Sequence, residues 1–176
     1  MTKGAARHKE EAQHRNTPEE VLGPTRQFMR IGLDPCGNEW STVRARVEYR
    51  LPTHNGLELD WISVLRPGRV GVLREGVFCN AVWANLLPWV RKAVEEHQKD
   101  KNAHIIFYAH FDPSTKWGGE IMDACDAFGM WRKRLCHPLF GQESHNADRP
   151  TCSWYLGPDA PAFCTHFDPY ARCFKK

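Results

Sequence analysis

The sequence predicts an α+β domain, an α/β sandwich in which a small mixed sheet carries two main helices. Three observations predict it. Val43, Ala45, Val47 and Tyr49 alternate with Arg44, Arg46 and Glu48, the period-two pattern of a half-buried strand. Trp83, Leu86, Leu87, Val90 and Val94 recur at helical spacing and form one apolar face. The run from Ala103 to Phe111 is almost wholly apolar, as expected of a strand covered on both sides.

Residues 1–25 are polar and mixed in charge, and read as a flexible or partner-ordered tail in which Thr17-Pro18-Glu19-Glu20 suits the start of a short helix. Phe28 to Leu33 reads as a short edge strand, stopped by the turn cluster Asp34-Pro35-Cys36-Gly37-Asn38. After the alternating strand and a turn over 52–56, Leu57, Leu59 and Trp61 alternate with Glu58 and Asp60. This predicts a hairpin in which Arg44 and Arg46 face those acids. Pro67-Gly68 fits the middle of a type II turn, and Val70 to Leu73 would complete a β-meander.

Pro88 is incompatible with a helix interior, where it loses an amide and meets the carbonyl four residues back; Asn85 as N-cap places it in the first turn and removes the conflict. Asp112-Pro113-Ser114-Thr115 then caps a second helix, predicted from Trp117 to Leu135. Glu120, Asp123 and Asp126 lie in its first half and Arg132, Lys133 and Arg134 in its last turn, which suits the helix dipole. Beyond His137-Pro138 periodicity is lost. The expected organisation is a tail over 1–25, an α+β core over 26–136 and an irregular Cys-rich extension over 137–176.

A chain of 176 residues is long enough to bury a core without a disulfide scaffold. Its formal charge of +3 argues against clamping nucleic acid by bulk electrostatics, although local basic patches remain. Apolar runs stay well short of the roughly 20 residues that span a bilayer, so no membrane span is expected. The first residues have no apolar h-region and carry Glu10 and Glu11, which predicts a chain that is not secreted and thiols that stay reduced.

Four constellations offer chemistry. Cys136, Cys152, Cys164, His166 and Cys173 supply thiolate and imidazole ligands to a segment with little else to order it, and zinc or an iron–sulfur cluster would suit them. No Cys-x2-Cys pair accompanies them; the same cysteines also read as small buried apolar side chains or as disulfide partners. The tetrapeptide His-Phe-Asp-Pro occurs at 110–113 and 166–169. At a strand's carboxyl end His110 and Asp112 point the same way and form an acid/base or metal-binding pair, while Asp-Pro is also ordinary helix-entry chemistry. Cys79 precedes the main helix, whose N-terminus lowers a thiol pKa, but no partner base is apparent and packing is the simpler reading. Arg132, Lys133 and Arg134 beside Trp131, with Lys175 and Lys176 at the far end, form the basic and aromatic mixture of an RNA-contacting surface, or alternatively a solvated helix end.

Leu73 to Pro113, notably Leu86-Leu87-Pro88-Trp89-Val90 and Lys101-Asn102-Ala103-His104-Ile105-Ile106-Phe107, is similar to the thioredoxin-like family shared by some mitochondrial ribosomal proteins and a small accessory subunit of respiratory complex I. The resemblance implies a thioredoxin-like βαβ unit and a non-enzymatic structural subunit of a mitochondrial assembly, a ribosome or a respiratory complex, with other protein subunits and RNA as partners. It transfers no functional residue. Should the chain lie outside mitochondria, a cytoplasmic place is expected. Two alternatives stand beside this reading: a small metal-dependent hydrolase using His110, Asp112, His166 and Asp168, and a zinc-stabilised binding module.

Overall fold

The computed structural model describes residues 16–67, 73–139 and 149–176. Among them the elements run α1 (Glu19–Phe28), β1 (Arg30–Asp34), β2 (Val47–Glu48), β3 (Glu75–Cys79), a 3-10 turn (Trp83–Asn85), α2 (Leu86–Lys99), β4 (His104–His110), α3 (Lys116–Ala124), β5 (Ala127–Trp131), β6 (Thr151–Leu156), α4 (Ala160–Phe167) and β7 (Ala171–Lys175). The fold is α+β: four helices and one seven-stranded mixed sheet of order β2-β1-β3-β4-β6-β5-β7. β2, β1, β3 and β4 pair in parallel, whereas β6 is antiparallel to β4 and β5, and β7 is antiparallel to β5. β5 therefore points the same way as β4, and the carboxyl ends of β1, β3, β4 and β5 share one rim.

Every residue of β4 is buried, as its unbroken apolar run predicts. Successive side chains of a strand alternate in direction and feed two cores. Ile105, Phe107 and Ala109 meet Leu86, Val90 and Ala93 of α2 and Trp117 and Ile121 of α3. Ile106 and Tyr108 meet Val21 and Leu22 of α1 and Phe163 and Phe167 of α4. α2 opens at Leu86 with Asn85 as its N-cap residue, so Pro88 sits in the first turn; the Asn85 side chain makes no capping hydrogen bond. None of the described helices is long and apolar enough to cross a membrane.

Several elements depart from expectation. The hairpin of 43–49 with 57–61 does not form. Arg44 takes a left-handed φ of 54°, which breaks the alternating run, and only Val47 and Glu48 enter the sheet, parallel to β1. Arg46 bonds Glu75 at 2.8 and 2.7 Å instead of Glu58 or Asp60. The completing strand at 70–73 falls largely on residues outside those described. The helix expected from Trp117 to Leu135 stops at Ala124, where Cys125 turns extended, and Phe128 and Met130 belong to β5. Residues 149–176, expected to be irregular, form β6, α4 and β7, because Trp154, Tyr155, Phe163 and Phe167 bury against the sheet. Of the expected tail, residues 1–15 lie outside the described residues, while Asn16 and Thr17 are buried and α1 packs on β1.

One buried carboxylate ties the 56–62 loop to α2. Glu96 is fully buried; its Oε1 meets Lys92 Nζ at 2.7 Å and Lys99 Nζ at 2.6 Å, and its Oε2 accepts from the Trp61 amide at 2.9 Å. The Trp61 indole N–H in turn donates to the Gly56 carbonyl at 2.7 Å. Gly56 has no room for a side chain, since a Cβ there would lie 1.9 Å from the Pro35 carbonyl oxygen. Burial raises the Glu96 pKa, but the two lysines and the Trp61 amide outweigh it and hold it below the ordinary 4.5. That stabilisation is present above the unfolded value and is lost as pH falls through the folded one. Glu96→Ala, which strands Lys92 and the Trp61 amide, is expected to lower stability by about 3 kcal/mol in urea denaturation at pH 7. Glu96→Gln is expected to flatten the loss of stability below about pH 4.5.

Candidate functional site at the carboxyl rim

From β1 the chain passes to β2 on one side, and the later strands β3 and β4 pair on the other. The order reverses between β1 and β3. In open α/β sheets the crevice beyond the carboxyl ends at such a point is where ligands bind, because the two loops part in opposite directions. Here Asp34 ends β1 and Asn80 follows β3.

Asp34 is buried. Its Oδ1 accepts from the Cys36 amide at 3.1 Å, which folds the Asp-Pro-Cys turn back on itself, and its Oδ2 accepts from Ser41 Oγ at 3.4 Å. Burial, opposed by the Cys36 amide and aided by the nearby Glu48 charge, raises its pKa to about 6. No cation neutralises it among the described ion pairs. Across the crevice the Cys36 and Cys79 sulfurs stand 3.8 Å apart. Their mutual hydrogen bond, with burial, pushes the Cys36 thiol well above its ordinary value, so Cys79 does not face a reactive thiolate.

Asn80 Nδ2 donates to Thr17 Oγ1 at 2.8 Å, which fixes the carboxamide and leaves Oδ1 with only a long contact, 3.3 Å, from the Trp83 indole N–H. An amide oxygen accepts two hydrogen bonds, so Asn80 keeps acceptor capacity. Trp83 packs its ring on His110 and His137, with centroids 5.2 and 5.1 Å away. His137 Nε2 and the Tyr108 hydroxyl share a hydrogen bond of 2.9 Å, and Trp117 meets His110 edge-on at 4.9 Å. Asn16 binds three rim segments together: its amide donates to the Pro138 carbonyl at 2.8 Å, its Nδ2 to the Trp40 carbonyl at 2.6 Å, and its Oδ1 accepts from Asn38 at 3.3 Å.

The residues singled out from the sequence are distributed differently. Cys152 is buried in β6, Cys164 and Cys173 lie beside each other on α4 and β7, Cys136 is half-buried, and His166 Nε2 bonds the Pro24 carbonyl at 2.9 Å. Among the described residues no three His, Cys, Asp or Glu side chains are placed to hold one metal. The two His-Phe-Asp-Pro copies do not combine: Asp112 pairs with Arg149 at 3.1 Å, and Asp168 with Arg132 at 3.5 Å. The basic set divides as well. Arg132, Lys133 and Arg134 are exposed just past the carboxyl end of β5, on the rim that holds Asn80, rather than at a helix end. Lys175 lies opposite Ala127 and Lys176 follows it, at the other end of the sheet.

Asp34, Asn80, Asn16 and Trp83 escaped sequence reasoning. The legible signal was a polar residue closing each of two apolar strands, Ile31 to Asp34 and Val77 to Asn80. No protein-family model matches the chain, and neither the curated proteins nor the solved structures compared with it include a match.

Because the Asp34 pKa is raised, the folded chain holds a proton that the unfolded chain has released between pH 3.8 and about 6. Stability attributable to Asp34 therefore declines as pH rises through that window. Asp34→Asn is expected to be more stable than the parent above about pH 6 and to lack this slope, as measured by thermal denaturation from pH 4 to 8.

Proposed function

We propose that the chain is a nucleic-acid base methyltransferase that holds S-adenosylmethionine beyond the carboxyl ends of β1 and β3 and presents a base to Asn80 and Trp83. The observation that carries this reading is the meeting at the switch point of a buried carboxylate without a cation among the described residues, a fixed carboxamide with acceptor capacity, and an indole ring. A nucleoside donor bearing hydroxyl and ammonium groups supplies the donors that Asp34 lacks. When bound, S-adenosylmethionine would supply a methyl group on a sulfonium sulfur: the base nitrogen would take the methyl carbon, the C–S electron pair would stay with sulfur as S-adenosylhomocysteine, and the proton lost from the nitrogen would pass to solvent water. Asn80 Oδ1 accepts from the amino group of the base and orients its lone pair, while Trp83 offers a ring face, the means by which enzymes hold an extruded base.

Two further features support the reading. Arg132, Lys133 and Arg134 stand on the same rim, where a phosphate backbone would run. A parallel block with a reversed strand, β6, set between β4 and β5 is also the sheet plan of S-adenosylmethionine-dependent methyltransferases, to which the antiparallel edge strand β7 is an addition; the analogy is of fold alone.

The non-enzymatic subunit of a large mitochondrial assembly is a second reading with one specific support. β7 ends the strand order, and Tyr170 and Phe174 beside and on it are exposed, a surface a neighbouring subunit would cover.

Isothermal titration of the full chain with S-adenosylhomocysteine tests the proposal. Binding with Kd below ~100 μM is expected, weakened about tenfold by Asp34→Ala and changed less than about twofold by Asn80→Ala. Absence of heat at about 1 mM ligand would sink the reading.

A further inference from the structure

His110 closes β4 on the rim and is 6% exposed. Its ring is held between two indoles, Trp83 at 5.2 Å and Trp117 at 4.9 Å. Its Nδ1 is shielded from solvent and has no hydrogen-bond partner among the described residues. His97 also has a shielded Nδ1 without a described partner, but its Nε2 faces Asp126 at 3.4 Å, whereas His104 shares a 2.8 Å hydrogen bond with the Tyr155 hydroxyl and His137 shares one with Tyr108. Shielding a polar nitrogen without a partner costs ~1 to 3 kcal/mol, and native proteins keep such groups where they have a task. Trp83 connects this imidazole to Asn80 through its indole N–H. Burial, with Arg149 adding and Asp112 opposing, holds the His110 pKa below its ordinary value, so the ring is neutral at pH 7 and Nδ1 is a donor or an acceptor according to tautomer.

We infer that His110 is a specificity-determining residue: its Nδ1 makes the hydrogen bond that distinguishes one base from another beside Trp83 and Trp117. This rests on the base-methyltransferase reading. Trp83 and Asn80 act on features many bases share, a ring face and an amino group. A single nitrogen of fixed position, donating or accepting but not both, rejects a base whose edge carries the wrong partner, because the mismatch leaves two shielded polar groups unpaired. The position explains why a histidine closes β4 at the rim: packed against two indoles, it cannot turn to accommodate a mismatched edge.

The test uses the full chain saturated with S-adenosylhomocysteine and four fluorescent single-stranded oligonucleotides that differ at one central base, A, C, G or T. The parent chain is expected to prefer one base by about tenfold. His110→Ala is expected to reduce that preference below about twofold while leaving the Kd for S-adenosylhomocysteine unchanged, and His110→Asn, which keeps a nitrogen near Nδ1, to restore part of it. An unchanged ranking in His110→Ala overturns the assignment and leaves the methyltransferase reading standing. Failure of the parent to bind S-adenosylhomocysteine overturns both. Should neither variant fold, 15N spectra of the parent decide: a His110 Nδ1 resonance that moves with the preferred oligonucleotide supports the role, and one that stays fixed rules it out.

Discussion

The fold depends on the complete burial of β4. Its seven residues lie inside the molecule, parallel to β3 on one side and antiparallel to β6 on the other. Ile and Phe side chains removed from water contribute roughly 1.5 to 3 kcal/mol each, and they are placed on both faces, so the strand is stable only with a helical layer on each. α2 and α3 cover one face and α1 and α4 the other. The reversal at β6 follows: with β6 antiparallel, β5 points along β4, and the loop after β5 brings His137 back to Tyr108 and Trp83.

That arrangement sets the chemistry of the rim. Structural polar groups are well matched: Glu96 has two lysines and a backbone amide, Asn16 joins three segments, and Asn80 is tied to Thr17. Asp34 and His110 are not. Among the described residues one is a buried carboxylate without a cation, the other an imidazole nitrogen without a partner, and they close β1 and β4, which flank β3, at the same rim of the sheet. Arg26 Nε, His97 Nδ1, Thr151 Oγ1 and Trp154 Nε1 are also shielded without a partner among the described residues, so it is the position of Asp34 and His110 on the carboxyl rim beside the switch point that favours a ligand there.

The sequence made some of this legible. The apolar run to His110, the helix face of Leu86 to Val94, and the effect of Pro88 on the helix start each have a local cause and read directly, whereas Trp83 falls in the 3-10 turn before the helix. The failures share another cause. Val43 to Tyr49 alternates as a strand does, yet the left-handed Arg44 sends Val43 and Tyr49 to different cores. Phe128 fits the helical face of Ile121 and Cys125 as well as the pleat of a strand, and pairing with β6 and β7 decided for the strand. Thr151-Cys152-Ser153-Trp154-Tyr155-Leu156 carries aromatic strand formers that its cysteine hid by suggesting a metal tail. The rim was the least legible, because Asn16, Asp34, Asn80 and His110 are brought together only by sheet order, which no local pattern encodes.

Methyl transfer itself is the most direct measurement. Incubating the full chain with methyl-tritiated S-adenosylmethionine and single-stranded DNA or RNA, then digesting to nucleosides, is expected to place the label in one methylated nucleoside. The label should disappear with Asn80→Ala. Label that stays wholly in the donor with every nucleic acid offered, under conditions where the donor binds, would contradict the assignment of the rim as a base-modifying site.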